Sequence, residues 1–196
     1  MKKLKKNLVL IGGGGHCVSV IDIIENGNEF NILGILDSNI KEKNILGYKI
    51  LGGDDLICEL VNEGSCFLIT VGQIKSYSAR ENIAKKLVEN NAELATVISP
   101  MAYVSKHAHI EQGTVVMNHA VVNAKSKIGK NCIINTMSNI EHGVKIGDFC
   151  HISTCAVING DSEVGKGSFI GSNATISNGI IINENSIISA GEFIKK

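Results

Sequence analysis

Four consecutive glycines, Gly12, Gly13, Gly14 and Gly15, stand between a short apolar run at residues 8–11 and a helical stretch at residues 16–26. The backbone N–H groups of such a loop can cradle a phosphate, and the positive end of the helix dipole favours its charge. Asp37 closes the next apolar run about twenty residues later, where an acid holds a ribose or base in dinucleotide folds. The dinucleotide fingerprint itself fails, because its last glycine position is occupied by Cys17. A redox cofactor is therefore not expected, and a nucleotide-linked sugar fits the loop better. A plain tight turn is the competing reading of the same four residues.

The elements that must position this loop alternate. Residues 8–11, 32–36 and 67–71 read as strands, and residues 48–51 as a shorter one. Residues 16–26 and 56–63 read as helices, and Ser78 with Glu81 forms a capping-box pattern opening a helix to about Asn90. Val18, Ile21 and Ile24 supply the buried face of the first helix, and Ile83, Leu87 and Val88 that of the third. Residues 93–98 read as a last strand. Strands alternating with helices imply a small Rossmann-like parallel sheet, so residues 1–98 are expected to form a sugar- or nucleotide-binding domain.

The second half is periodic. Steps of six from Ile98 reach Val104, Ile110, Val116, Val122, Ile128, Ile134, Ile140 and Ile146. They continue through Ile152, Ile158, Val164, Ile170, Ile176, Ile182 and Ile188 to Ile194, and every position is Ile or Val. At the frequency of these residues in the chain, such a run arises by chance roughly once in 10¹¹ trials. Four residues after each aliphatic sits mostly a small side chain, among them Ala108, Ala120, Cys132, Ser138, Cys150, Ala156 and Ala174; Val144, Ile180 and Glu192 are exceptions. A six-residue period is too short for a helical repeat and marks a hexapeptide β-helix. Each hexapeptide contributes a short strand and a corner, and three close a triangular turn whose aliphatics stack inside. Residues 99–196 are thus expected to form a left-handed parallel β-helix of about five coils, against the usual right-handed crossover rule.

Composition narrows the function. Nineteen Lys and Arg balance nineteen Asp and Glu, which argues against a nucleic-acid binder held by a basic face. No apolar run is long enough to span a bilayer. Residues 1–6 carry the charge of a signal peptide, but the apolar stretch behind them is too short for one, so a cytoplasmic protein without membrane association is expected. The six cysteines contain no C-x-x-C pair, and free thiols are the better reading.

Ile11-Gly12-Gly13-Gly14-Gly15-His16, the strand end at Asp37, the stretches Asn135-Thr136-Met137-Ser138-Asn139-Ile140-Glu141-His142 and Cys150-His151-Ile152-Ser153, and the hexapeptide array together resemble the NeuD/PglD-type sugar acetyltransferases. The resemblance covers nearly the whole chain. It implies a homotrimer, acetyl-CoA as co-substrate between neighbouring β-helices, no metal, and a sugar or nucleotide-sugar acceptor held partly by the N-terminal domain. It makes His142 the general base and places His16, Asp37 and Gly72 around the acceptor, beside the phosphate-cradling Gly14 and Gly15. Glu141 is a candidate support for His142, although adjacent strand residues usually point to opposite faces. His151, Gly160, Ser172 and Ala190 match positions along the coenzyme A track. The chemistry wants such a histidine, because an amine or hydroxyl attacking a thioester must lose a proton to a base that works near neutral pH.

Two departures stand out. PglD-like members follow the base with an acid, whereas Gly143 follows His142, as in NeuD-like members. The family's G-x-P-x-K-type tail over coenzyme A has no counterpart after Phe193-Ile194-Lys195-Lys196, a departure that bears on coenzyme A affinity. The resemblance leaves open N-acetylation of a UDP-4-amino sugar or O-acetylation of a sialic or related nonulosonic acid. Two rivals remain: a non-catalytic scaffold binding a sugar nucleotide, and a γ-carbonic-anhydrase-like metalloenzyme using histidines across an interface.

Overall fold

A computed structural model describes residues 5–195. They divide into two compact units, one of residues 5–72 and 78–95, the other of residues 73–77 and 96–195.

The first unit is a six-stranded sheet with helices. In chain order it runs β1 (Lys6–Ile11), α1 (Gly15–Asn26), β2 (Phe30–Leu36), β3 (Asn44–Ile45), β4 (Tyr48–Gly52), α2 (Ile57–Asn62), β5 (Cys66–Ile69), α3 (Ser78–Glu89) and β6 (Glu93–Leu94). The sheet order is β3-β4-β2-β1-β5-β6, parallel except for the β3–β4 pair. β1 lies inside the sheet, and its apolar run Leu8, Val9, Leu10 and Ile11 is buried, as expected of a strand covered on both faces. The chain passes from β1 to β2 on one side and later places β5 on the other. The carboxyl end of β1, where the glycine loop begins, is therefore a topological switch point, the usual ligand position in open α/β sheets.

Two helix faces differ from the sequence reading. Val18 is exposed, and Cys17, Val20, Ile21, Ile23 and Ile24 are buried instead. A spacing of three falls short of a full helical turn, so Val18 drifts off the stripe that Cys17, Ile21 and Ile24 define. Val88 is likewise exposed, while Arg80, Ala84 and Leu87 form the inner face of α3. Val88 stands about 100° round the helix from Leu87.

The second unit is a left-handed parallel β-helix of two-residue strands in three sheets, two with six strands and one with five. Each strand pairs in parallel with the strand one turn away, as Val115 with Ile133 and Ile133 with His151. The repeated aliphatics stack inside, with Val116, Ile134, Ile152 and Ile170 fully buried, and Cys132, Cys150, Ala156 and Ala174 fill the tight corners. Gly147 lets successive turns stack, since a Cβ there would lie 2.6 Å from the Lys166 backbone nitrogen. Residues 93–98 serve two sheets rather than one strand: β6 pairs with β5, whereas Val97–Ile98 pairs with Val115–Val116 as the first rung of the helix. Among the described residues, no helix is long and apolar enough to cross a membrane.

Candidate functional site

In the first unit, the glycine loop is braced from below. The Gly13 N–H donates to Asp37 Oδ2 at 2.9 Å, and the Asn39 N–H to Asp37 Oδ1 at 2.9 Å. Asp37, expected to hold a ribose or base, thereby braces the glycine loop. Gly12 has φ +102, and a Cβ on Gly13 would meet Ile40 and Ile45, so neither position takes a larger residue without rearrangement. Gly14 and Gly15 face open space, with Gly14 preceding the first turn of α1. Gly72 approaches from the far side, its Cβ position lying 3.9 Å from the His16 Cβ. Gly14, Gly15, His16, Asp37 and Gly72 are thus gathered at one end of the sheet.

Two buried residues behind this end were not read from the sequence as functional. The Arg80 guanidinium is buried and donates to the carbonyls of Ile69 at 3.3 Å and Val71 at 2.5 Å, fixing the chain just before Gly72. No spacing signal marks it, because a lone arginine on a helix normally faces water. The Cys17 thiol is buried behind the loop and is pushed up to about 11, chiefly by burial; a Thr70 hydrogen bond opposes this and the Asp37 charge adds to it. It stays a protonated thiol near neutral pH, unsuited to nucleophilic work.

In the second unit, His142 projects from a corner between two sheets and is exposed. Its ring lies against Gly160 of the next turn, where a Cβ would sit 2.6 Å from Cε1 and 2.8 Å from Nε2. Glu141 turns away from it. Its carboxylate accepts hydrogen bonds from Asn123 Nδ2 at 3.1 Å and Asn139 Nδ2 at 2.9 Å. The acid nearest to the His142 ring is Asp161, its Oδ1 3.9 Å from Nδ1. The period already contained this neighbour, since one turn of eighteen residues plus one leads from His142 to Asp161.

His151 is of another kind. It is buried, its Nδ1 lies 2.6 Å from the Gln73 carbonyl, and its Nε2 lies 3.0 Å from Asn135 Nδ2. A carbonyl only accepts, so Nδ1 carries the proton and Nε2 accepts from the amide. Phe169 packs edge-on against the ring at 5.1 Å. Gln73 adds its own donor to the carbonyls of Phe149 and Gly167, at 2.8 and 3.3 Å. Ser172 meets Ser153 oxygen to oxygen at 3.0 Å, and Ala190 follows one turn on, its backbone close to Gly171. Asn135, Ser172 and Ala190 lie along one edge of the prism, and His142 with Gly160 along another.

Comparison with known proteins matches residues 7–87 to the PglD N-terminal domain. Residues 125–160 match the bacterial transferase hexapeptide repeat, and residues 163–196 the hexapeptide repeat of succinyl-transferase. The chain thus carries a match to a PglD N-terminal domain followed by matches to hexapeptide repeats. The chain is 34% identical, over 57% of its length, to the UDP-N-acetylbacillosamine N-acetyltransferase of Bacillus subtilis strain 168. It is 36% identical, over 61% of its length, to an uncharacterized protein of Acanthamoeba polyphaga mimivirus. The matched stretches span 51% and 23% of those two relatives. Among solved structures, PerB from Caulobacter crescentus, in complex with CoA and GDP-perosamine, is similar over 97% of this chain and 89% of its own, with TM-score 0.90 and 28% identity. The acetyltransferase domain of PglB from Neisseria gonorrhoeae, in complex with acetyl coenzyme A, covers 95% of this chain and 89% of its own, with TM-score 0.89 and 28% identity.

Proposed function

We propose that this protein is an acetyl-CoA-dependent N-acetyltransferase acting on a nucleotide-linked amino sugar, with His142 as general base. The observation that carries the proposal is the likeness to PerB over 97% of the chain, since that protein was captured with both CoA and a nucleotide-linked amino sugar. The bacillosamine relative points to the same acceptor class and favours an amine over the hydroxyl of a nonulosonic acid.

In this reading the neutral acceptor amine attacks the thioester carbonyl carbon. The C–N bond forms, the C–S bond breaks, and His142 Nε2 takes the proton that the nitrogen sheds, for return to the departing thiolate. Glu141 acts by keeping its corner rigid through Asn123 and Asn139. Gly14, Gly15, His16 and Gly72 border the acceptor, and Asp37 holds the loop that meets its phosphates. Gly160, His151, Ser172 and Ala190 belong to the coenzyme A side.

A homotrimer follows from the same reading. The proposed coenzyme A residues fall on two separate edges of one prism, as a groove shared by neighbouring copies requires. One sheet also turns Tyr103, Val121, Val157 and Phe193 outward, with Asn139 and Thr175 between them, a mostly apolar column suited to a second prism.

The test is thiol release from acetyl-CoA against UDP-4-amino sugars, GDP-perosamine, sialic acid and CMP-sialic acid. Turnover confined to the nucleotide-linked amino sugars is the expected outcome. Turnover confined to the acidic sugars would move the assignment to O-acetylation, and tight sugar-nucleotide binding without turnover would make the protein a scaffold.

A further inference from the structure

We propose that Asp161 is the positioning carboxylate for His142, taking the place of an acid on the residue after the histidine. The proposal rests on the reading of His142 as base and adds a partner to it.

The geometry comes from adjacent turns. The Asp161 N–H donates to the His142 carbonyl at 3.0 Å, which fixes the two corners against each other. Asp161 adopts φ +59 at its corner, and its Oδ1 stands 3.9 Å from His142 Nδ1. Gly143 leaves the room for this. A Cβ at residue 143 would lie 2.1 Å from Asp161 Oδ1, so the carboxylate fills the space that a side chain on residue 143 would otherwise enter. Glu141 cannot replace it, because both its oxygens are held by Asn123 and Asn139. Among the described residues the Asp161 carboxylate has no other polar side-chain partner.

The separation exceeds a hydrogen bond in the resting state, and this suits the role. As Nε2 takes the acceptor's proton the ring becomes an imidazolium, and its Nδ1–H is drawn to a carboxylate that a small ring rotation brings into contact. The attraction is stronger with the proton on the ring than before, so it acts on turnover and not on substrate binding.

The D161N variant keeps the side-chain shape, and asparagine tolerates the left-handed corner. It is expected to lower kcat about tenfold, with KM for acetyl-CoA and for the acceptor changed less than about twofold. In an H142A background the same substitution is expected to have no further effect, because Asp161 acts through the histidine. Unchanged kcat in D161N, or an equal tenfold loss on top of H142A, would overturn the assignment of Asp161. Normal turnover by H142A alone would instead remove the base itself.

Discussion

The Nδ1–H of His151 is directed at the backbone carbonyl of Gln73, 2.6 Å away and seventy-eight residues earlier in the chain. With the Gln73 amide on the Phe149 and Gly167 carbonyls and Tyr77 stacked on Phe149 at 5.5 Å, residues 73–77 are bound into the β-helix unit although both flanking segments belong to the other unit. His151 therefore also acts as a bracket between chain segments.

Substituting His151 by Ala leaves the Gln73 carbonyl and the Asn135 amide without partners and removes the ring from Phe169. We expect a loss of about 2–4 kcal/mol of stability, read as a lower urea midpoint. An unchanged midpoint would mean that water replaces the ring without cost.

For His142→Ala we expect kcat to fall about 10²-fold or more, with an unaltered melting temperature, since the residue is exposed. Steady-state kinetics beside a thermal melt separate loss of chemistry from loss of fold.

Gly160→Ala tests the same ring from behind. The backbone at residue 160 lies outside the left-handed region, so alanine is permitted there, but its methyl would stand 2.6–2.8 Å from His142 Cε1 and Nε2. The ring must move, and a displaced base is expected to cost about tenfold or more in kcat with little change in stability.

Cys17 and Cys66 are both buried thiols pushed up to about 11, chiefly by burial, whereas Cys58 is exposed. At pH 8 a maleimide or iodoacetamide is expected to modify Cys58 and leave Cys17 and Cys66 unlabelled until the protein unfolds. Linkage fixes the alkaline behaviour. Unfolded thiols ionise near their ordinary 9.0 while the folded ones hold their protons to about 11, so the folded state binds more protons in that window. Stability therefore falls as pH rises from about 9 to about 11, which denaturation midpoints across that range would show. A flat profile would mean that one or both sites ionise without penalty.

Much of this architecture was legible because it is periodic. The six-residue step fixed the inner column from Val104 to Ile194, and with it the corner on which His142 stands. The strand-loop-helix reading at residues 8–26 held because a continuous apolar run and four glycines leave few alternatives. Helix faces were less legible: Val18 and Val88 each lie near an apolar stripe without belonging to it, and one step of the helix decides between burial and solvent. Asp161 and Gln73 escaped notice for a different reason. A side chain's partner one turn away appears in sequence only as an offset near eighteen, and a partner such as His151 across seventy-eight residues leaves no offset that repeats.

The eighteen-residue register also constrains how such a chain can change in length. Because inward and outward side chains alternate along each two-residue strand, inserting one residue into a rung such as Ile133–Ile134 would turn it inside out and shift every later rung against its neighbour. Losing or gaining a whole turn preserves the pairing of everything that follows. Variation in coil number among such prisms should therefore come in multiples of a turn, and single-residue gaps should gather at the corners.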